Sequence, residues 1–314
     1  MGLVSQQFKD AIRKCLLEYR SAGRPFPCVR TKSSLETLLL QLFDSVQRVE
    51  YVFKLRERDI SPTRCDPSST DFDPLRAAIF HAQSGDLDEA SWLVFLLTHF
   101  GNPTRTGWQL VREVYGSLGT GSRWDWKRIQ PNPNQILPWL TANQKKFGGR
   151  FGNHRQYLSL KPQAQAGTGA AIISYVNWVN SYSSHAQMLK ALEKEFGENR
   201  GPLFDGFYKS MRKNVKSFGR LGCLDYLCML GKAGIFPLEP STPYIPGSTG
   251  PLKGAKLLVG GSVDAALAPR NLEREMRQLG ERLAEVGVRF AMQVLEDAVC
   301  NWQKSPTEYV RFRG

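Results

Sequence analysis

Glu296, Cys300 and Lys304 stand four residues apart near the C-terminus, and Asp297 and Asn301 stand beside them at the same interval. Four-residue spacing places such groups on neighbouring stripes of one helix. Two carboxylates, an amide and a lysine gathered at the end of an apolar seam are costly unless paired or used. One reading is an internal salt-bridge cluster, Glu296 or Asp297 with Lys304, that closes the helix. The other is a site whose carboxylate stabilises positive charge developing on a substrate. Gln303 lies on the same turn and, with Asn301, could read a base edge or an appended sugar.

A second chemistry is carried by cations mixed with planar rings. Between Arg123 and Lys161 there are eight basic residues (123, 127, 128, 145, 146, 150, 155 and 161) and one acid, Asp125. Trp124, Trp126, Phe147, Phe151 and Tyr157 are interleaved with them. Cations that neutralise phosphates beside rings that stack on bases make a nucleic-acid groove. An exposed basic loop with its rings turned into the core is the alternative. From Phe204 to Lys256 the bias returns: eight basic residues (209, 212, 213, 216, 220, 232, 253 and 256) face Asp205, Asp225 and Glu239. Two glycine turns lie there, Gly219 to Gly222 and STGPLKGAK with Lys253 and Lys256. A glycine turn before a helix offers backbone N–H groups and a positive dipole end to a phosphate. Asp225 sits among Leu221, Leu224, Leu227 and Cys228, so its carboxylate must pair, cap or act. Glu239, bracketed by prolines, is a catalytic candidate or an ordinary loop residue.

The elements that must position these groups read as helices. Leu272, Met276, Leu279, Leu283, Val286, Phe290 and Val294 alternate in steps of four and three, which predicts one helix from Asn271 to Lys304. Helices are also expected over Gln7–Ser21, Leu35–Arg58, Pro74–Ser84, Asp86–Phe100, Trp108–Tyr115, from Trp139, over Gly169–Ser181, over His185–Phe196, and after Gly222. Asp86–Phe100 is apolar on all sides, as a buried central helix is, and His99 near its end suits a core position. Asp59–Phe72 is a turn-rich surface loop. Phe236–Gly261 is expected to be a long irregular loop, with possible short strands near Leu257–Val259. The chain is therefore expected to be all-α, one continuous globular unit with an N-terminal part (1–72) packed on a larger helical domain (73–314).

The 314 residues are 41% hydrophobic and 23% charged, ordinary for a globular protein with ample core. No apolar run reaches membrane-spanning length and no export signal is evident, so a cytoplasmic protein without a membrane role is expected. The six cysteines and four histidines lack disulfide-framework or metal-ligand spacing, so neither a metal nor another cofactor is expected. Forty-two Lys and Arg against 29 Asp and Glu give a net charge of +13, which favours a polyanionic partner, nucleic acid first.

FLLTHFG (95–101), the GW and VYG of 107–116, FGNHRQY (151–157), FGRLGCLDYLCML (218–230), STGPLKGAKLL (248–258) and EDAVCNWQKSP with a final FRG (296–314) together resemble one family. It is the alpha-glutamyl/putrescinyl thymine pyrophosphorylase clade three family, and the likeness runs from roughly Asp73 to Gly314. The resemblance implies a helical fold like that of DNA glycosylases; the Gly219–Gly222 turn leading into a helix is itself similar to a degenerate helix-hairpin-helix phosphate clamp, without the usual GxGxxTA wording. It also implies kinship with a bacterial anti-phage glycosylase activity that excises alpha-glucosylated hydroxymethylcytosine. Family wording carries over onto Phe151, Asn153 and Arg155, with one residue fewer between Asn and Arg than usual, and onto Glu296, Cys300 and Lys304. In helix-hairpin-helix glycosylases a catalytic aspartate occupies a place like that of Glu239. No lysine holds the usual lyase position, which implies a monofunctional enzyme that leaves an abasic site.

Such an enzyme flips a base out of double-stranded DNA and stabilises an oxocarbenium-like sugar. The candidate carboxylates are Glu296, Asp297, Asp225 and Glu239. Asn153, His154, Tyr157, Asn301, Gln303, Lys304, Trp124 and Trp126 are candidates for the base and sugar pocket. Arg123, Lys127, Arg150, Arg155, Lys213, Lys216, Arg220, Lys253 and Lys256 are candidates for holding phosphates. The expected partner is phage DNA carrying modified bases, with no obligate protein partner. Two alternatives stand beside this reading: a transferase or pyrophosphorylase-type enzyme acting on modified thymine, dependent on partner enzymes because no Walker-type phosphate loop is present, and a non-catalytic reader of modified DNA.

Overall fold

In the computed structural model, residues 5–311 are described; the closing Phe312-Arg313-Gly314 and the side chain of Asn153 lie outside the described residues. Among them are fourteen α-helices and no β-strand, so the chain is all-α as expected. No helix of the described residues is long and apolar enough to cross a membrane. The chain forms two compact units, one made of residues up to Lys54 together with those from Pro240 onward, the other of Leu55–Glu239. The division thus differs from the expected boundary at 72/73. Residues 5–54 find packing partners at the far end of the sequence, which no local signal announces.

The Leu55–Glu239 unit is built around α4. It holds α3 (Pro74–Gln83), α4 (Leu87–Phe100), α5 (Gln109–Tyr115), α6 (Trp126–Ile129), α7 (Ile136–Asn143), α8 (Thr168–Asn180), α9 (His185–Phe196), α10 (Arg200–Asn214) and α11 (Arg220–Ala233). Side-chain caps start four of them: Asp73 accepts from Leu75 and Arg76 N–H, Asp86 from Glu89, Asp125 from Arg128 and Ser184 from Gln187. Every residue of α4 from Glu89 to Phe100 is buried, and α3, α5, α6, α9 and α11 pack around it. Its ring surface, Trp92, Phe95 and His99, stacks with Tyr175 and Phe218. α10 was not foreseen in the sequence because Pro202 and Gly206 interrupt the helical pattern. Pro202 is harmless in a first turn, where its missing N–H has no helical partner to lose.

The other unit holds α1 (Gln6–Glu18), most of α2 (Lys32–Arg56), α12 (Gly250–Gly260), α13 (Pro269–Glu285) and α14 (Ala291–Trp302). The expected single helix over 271–304 is two. Gly287 takes φ +94°, its N–H bonds Ala284 O at 2.9 Å and the Val288 N–H bonds Leu283 O at 3.0 Å. That pair of bonds is a Schellman cap, which ends α13 although the apolar seam continues. The expected loop over 236–261 contains α12, and Leu257–Val259 is helical instead of extended. α12, α13 and α14 pack on one another. A Cβ on Gly254 would lie 2.2 Å from Val299 O, so the small residues that suggested a loop instead allow close helix contact.

Candidate nucleic-acid interface

Within the Leu55–Glu239 unit, the loop between α7 and α8 is fastened along its length. Glu113 of α5 accepts from the N–H groups of Gly148 (3.1 Å) and Gly149 (2.9 Å). Gly152 N–H donates to Phe100 O at 2.7 Å, closing on the end of α4. Gly101 has φ +73°, which favours glycine, and a Cβ on Gly152 would stand 3.1 Å from Gly101 Cα, a tight contact that the two glycines avoid. Three residues on, Arg155 turns inward and is 5% exposed. Its Nε donates to Thr98 O at 3.0 Å and its Nη2 to Asp225 Oδ2 at 3.2 Å, while the guanidinium lies 5.8 Å from the Phe218 ring. Burying a guanidinium is costly unless it is paired, and here Nε and Nη2 both have oxygen partners, one of them a carboxylate. Arg155 was expected to hold a phosphate; its donors instead lock the loop to α4 and α11.

The turn between α10 and α11, Val215–Gly219, is fastened to the same loop. Val215 and Phe218 are buried, and Ser217 is left-handed at φ +63°. Ser217 Oγ donates to Ala166 O at 2.6 Å and Lys216 N–H to Ser174 Oγ at 2.9 Å. Gly219 caps α11 without a side-chain bond, and the first turn of α11 opens at this turn. Two basic segments distant in sequence, 145–157 and 212–220, are thereby joined. Lys145, Lys146, Arg150 and His154 of one segment and Arg212, Lys213 and Lys216 of the other are exposed, with Arg220 half-exposed. Tyr157 projects from the first segment with 70% of its surface exposed. Asp225, one turn into α11, keeps 40% of its side chain exposed while holding Arg155.

The remaining carboxylates lie elsewhere. Glu239 is a third exposed and pairs with Arg200 at 3.6 Å. Glu296 and Asp297 belong to α14, in the other unit, and Glu296 is buried. Asp297 bonds the Arg48 guanidinium, Ser45 Oγ at 2.8 Å and Asn301 Nδ2 at 3.0 Å. Asn301 Oδ1 in turn accepts from Lys304 at 3.1 Å, and Gln303 donates to Cys300 O at 3.3 Å. The C-terminal cluster thus holds an ion pair between Asp297 and Arg48, where the spacing had suggested Lys304 as the partner of Glu296 or Asp297; Lys304 donates to Asn301. Arg48 of α2 lies too far away in sequence for any spacing to show. Lys253 and Lys256 lie on α12 in that unit.

Trp124 and Trp126 were expected to stack on a base, and both are core residues instead, 2% and 7% exposed. Trp124 packs edge-on against Trp139 with the Arg128 guanidinium over its ring, and Trp126 packs on Trp92 and His185. Beside them a cleft of about 470 Å³ opens at the start of α4, lined by Asp86, Asp88, Glu89, Arg123, Trp126 and Lys127 among others. Arg123 and Lys127 therefore sit at the opposite end of α4 from Arg155, roughly 20 Å away along a fourteen-residue helix. The basic run from 123 to 161 is two surfaces, not one groove.

The sequence reading passed over the groups buried behind this cleft. Glu89 accepts from Tyr115 O–H and Trp126 N–H, both at 2.7 Å, and burial pushes its carboxyl up to about 7. Asp88 Oδ1 lies 2.5 Å from His185 Nδ1, His185 Nε2 lies 2.7 Å from Tyr175 O–H, and Tyr175 O–H lies 2.8 Å from Tyr226 O–H. The signal in the sequence was the DLDE run, which reads equally well as helix-start acids. At the other end of α4, His99 is fully buried with Nε2 3.0 Å from Thr168 Oγ1. Burial, with Arg155 adding to it, lowers the His99 imidazole to about 3, so it is neutral.

Neither the curated proteins nor the solved structures provide a match to this chain. One family profile matches it, over residues 33–314, and so extends about forty residues further toward the N-terminus than the motifs alone reach. Covering nearly the whole chain, that match makes the protein a member of the alpha-glutamyl/putrescinyl thymine pyrophosphorylase clade 3 family.

Proposed function

We propose that this protein is a DNA glycosylase that excises a modified pyrimidine, with Asp225 as the carboxylate facing the sugar. The observation that carries the reading is the convergence of two exposed basic segments, 145–157 and 212–220, around a partly exposed aspartate held by a buried arginine. The exposed lysines of the two segments, with the positive end of the α11 dipole beside them, would receive backbone phosphates. The exposed ring of Tyr157 would stack where a base has left the helix. As the C1′–N1 bond breaks, the bonding pair leaves with the base and positive charge grows on the sugar. Asp225 stabilises that charge and orients water; the water oxygen bonds C1′ and its proton is passed to the base or solvent. The product is a free base and an abasic site, and removal of modified bases from phage DNA is the defensive role this serves.

The family's name concerns modified thymine, and that favours a second reading, a transferase or pyrophosphorylase acting on a thymine adduct in DNA. The two separate in one assay. Protein without metal or nucleotide is mixed with DNA carrying alpha-glucosyl-hydroxymethylcytosine, DNA carrying modified thymines, and unmodified DNA. Released base is read by mass spectrometry and abasic sites by an aldehyde probe. Release from a modified DNA, lost in Asp225→Asn, supports the glycosylase. No release from any of them, with turnover only when a pyrophosphorylated base is supplied, moves the assignment to the second reading. Strand cleavage without base or heat would contradict the monofunctional chemistry.

A further inference from the structure

Asp225 and Tyr226 are neighbours on α11, so their side chains leave the helix about 100° apart. One reaches the basic surface, where Arg155 holds it; the other enters the core, fully buried. There Tyr226 joins the line of hydrogen bonds through Tyr175 of α8 and His185 of α9 to Asp88 of α4. Tyr226, Tyr175 and His185 are completely buried, and Asp88 alone reaches the cleft, with 34% of its side chain exposed.

The direction of the line is fixed by its end. Burial works against the charge on Asp88, yet the bonds from His185 Nδ1 and from the His185 N–H hold its carboxyl below the ordinary range. Nδ1 therefore carries the proton, and Nε2, bare, accepts from Tyr175 O–H. Tyr175 has then spent its proton and accepts from Tyr226 O–H. Ser91 O also lies 3.4 Å from Tyr175 O–H, a longer contact than the 2.7 Å to His185 Nε2, and four helices are tied at one level of the core. A buried polar line of this kind is stable only when every member is satisfied, and it then specifies one arrangement of its helices. Apolar contacts alone would leave α11 freer to rotate by a few degrees, which moves a side chain about 6 Å from its axis by roughly half an ångström.

We propose that Tyr226, Tyr175 and His185 are positioning residues that set the rotation of α11 and so aim the Asp225 carboxylate. The inference rests on the reading of Asp225 as the carboxylate at the sugar. Two hydroxyl deletions test it: Tyr226→Phe, Tyr175→Phe, and the double variant, each confirmed folded by circular dichroism. The single-turnover rate of base release is expected to fall about tenfold in each single variant, with DNA affinity within about twofold, because a small misplacement acts on the reaction more than on binding. The double variant is expected to be no slower than the slower single one, as parts of one line are. A second measurement needs no substrate. With carboxyl-13C aspartate, and the Asp225 resonance assigned by its loss in Asp225→Asn, the titration midpoint of Asp225 is expected to move in both tyrosine variants.

Folded Tyr226→Phe with the wild-type rate, or with an unmoved Asp225 titration, overturns the proposal. Base release that survives Asp225→Asn removes the reading of Asp225 and this inference with it. Release lost in Asp225→Asn but kept in Tyr226→Phe removes the inference alone.

Discussion

Arg155 Nη2 lies 3.2 Å from Asp225 Oδ2, joining residues 70 apart in the chain across the core of the Leu55–Glu239 unit. The arginine is buried and the aspartate is not, so the two ends of the pair differ in what they contribute. Replacing Arg155 by Met leaves Thr98 O without its donor and is expected to cost about 2–4 kcal/mol in urea unfolding. Asp225→Asn keeps an acceptor at a half-open position and is expected to cost roughly 1 kcal/mol or less. If the two substitutions prove equally destabilising, the aspartate has a structural weight that its exposure does not indicate.

Lys213 and Lys216 flank the turn that leads into α11, and both are exposed. Their joint replacement by alanine is expected to weaken binding to a duplex of about 20 base pairs and to lower the slope of log K against log salt by roughly two. Fluorescence anisotropy at several salt concentrations measures this. An unchanged slope would place the DNA elsewhere on the protein.

The tryptophans and the exposed tyrosine are expected to part company under substitution. Trp124→Ala empties a fully buried site and is expected to cost about 3–5 kcal/mol of stability. Tyr157→Ala removes an exposed ring, so unfolding should change by roughly 0.5 kcal/mol or less while DNA binding weakens by about 1–3 kcal/mol. Denaturant melts and binding titrations on the same two variants decide it.

Two buried groups give the stability a pH dependence of opposite sign. His99, lowered from 6.5 to about 3 by burial, stays neutral when folded; between those values the unfolded chain binds a proton that the folded chain does not. Stability therefore falls as pH drops through that window, and His99→Gln should flatten this acid limb. Glu89 is raised from 4.5 to about 7 by burial, with the bonds from Trp126 and Tyr115 opposing, so over that range the folded chain holds the extra proton. Its contribution makes stability fall as pH rises, and Glu89→Gln should remove that loss. Thermal melts from pH 3 to 8 on the three proteins separate the two effects.

Local chemistry is enough to place most of the helices. Asp73, Asp86 and Ser184 are capping residues at fixed distances from apolar runs, and the helices they start run nearly where periodicity puts them. The charge excess and the position of each lysine and arginine are likewise properties of the sequence. What the sequence leaves open is which cations face outward. Arg155 and Arg150 look alike in a basic loop, yet one is 5% exposed and the other lies on the surface, because Gly101 and Gly152 draw the loop onto the end of α4. Spacing groups Asp297 with Lys304; in the folded chain Asp297 is held by Arg48, a partner 249 residues away. Trp124 and Trp126 sit among cations in the sequence and among rings in the core. Helical periodicity sets neighbours within a turn or two, whereas burial and pairing are settled by which segments meet, and that is decided only when the whole chain has packed.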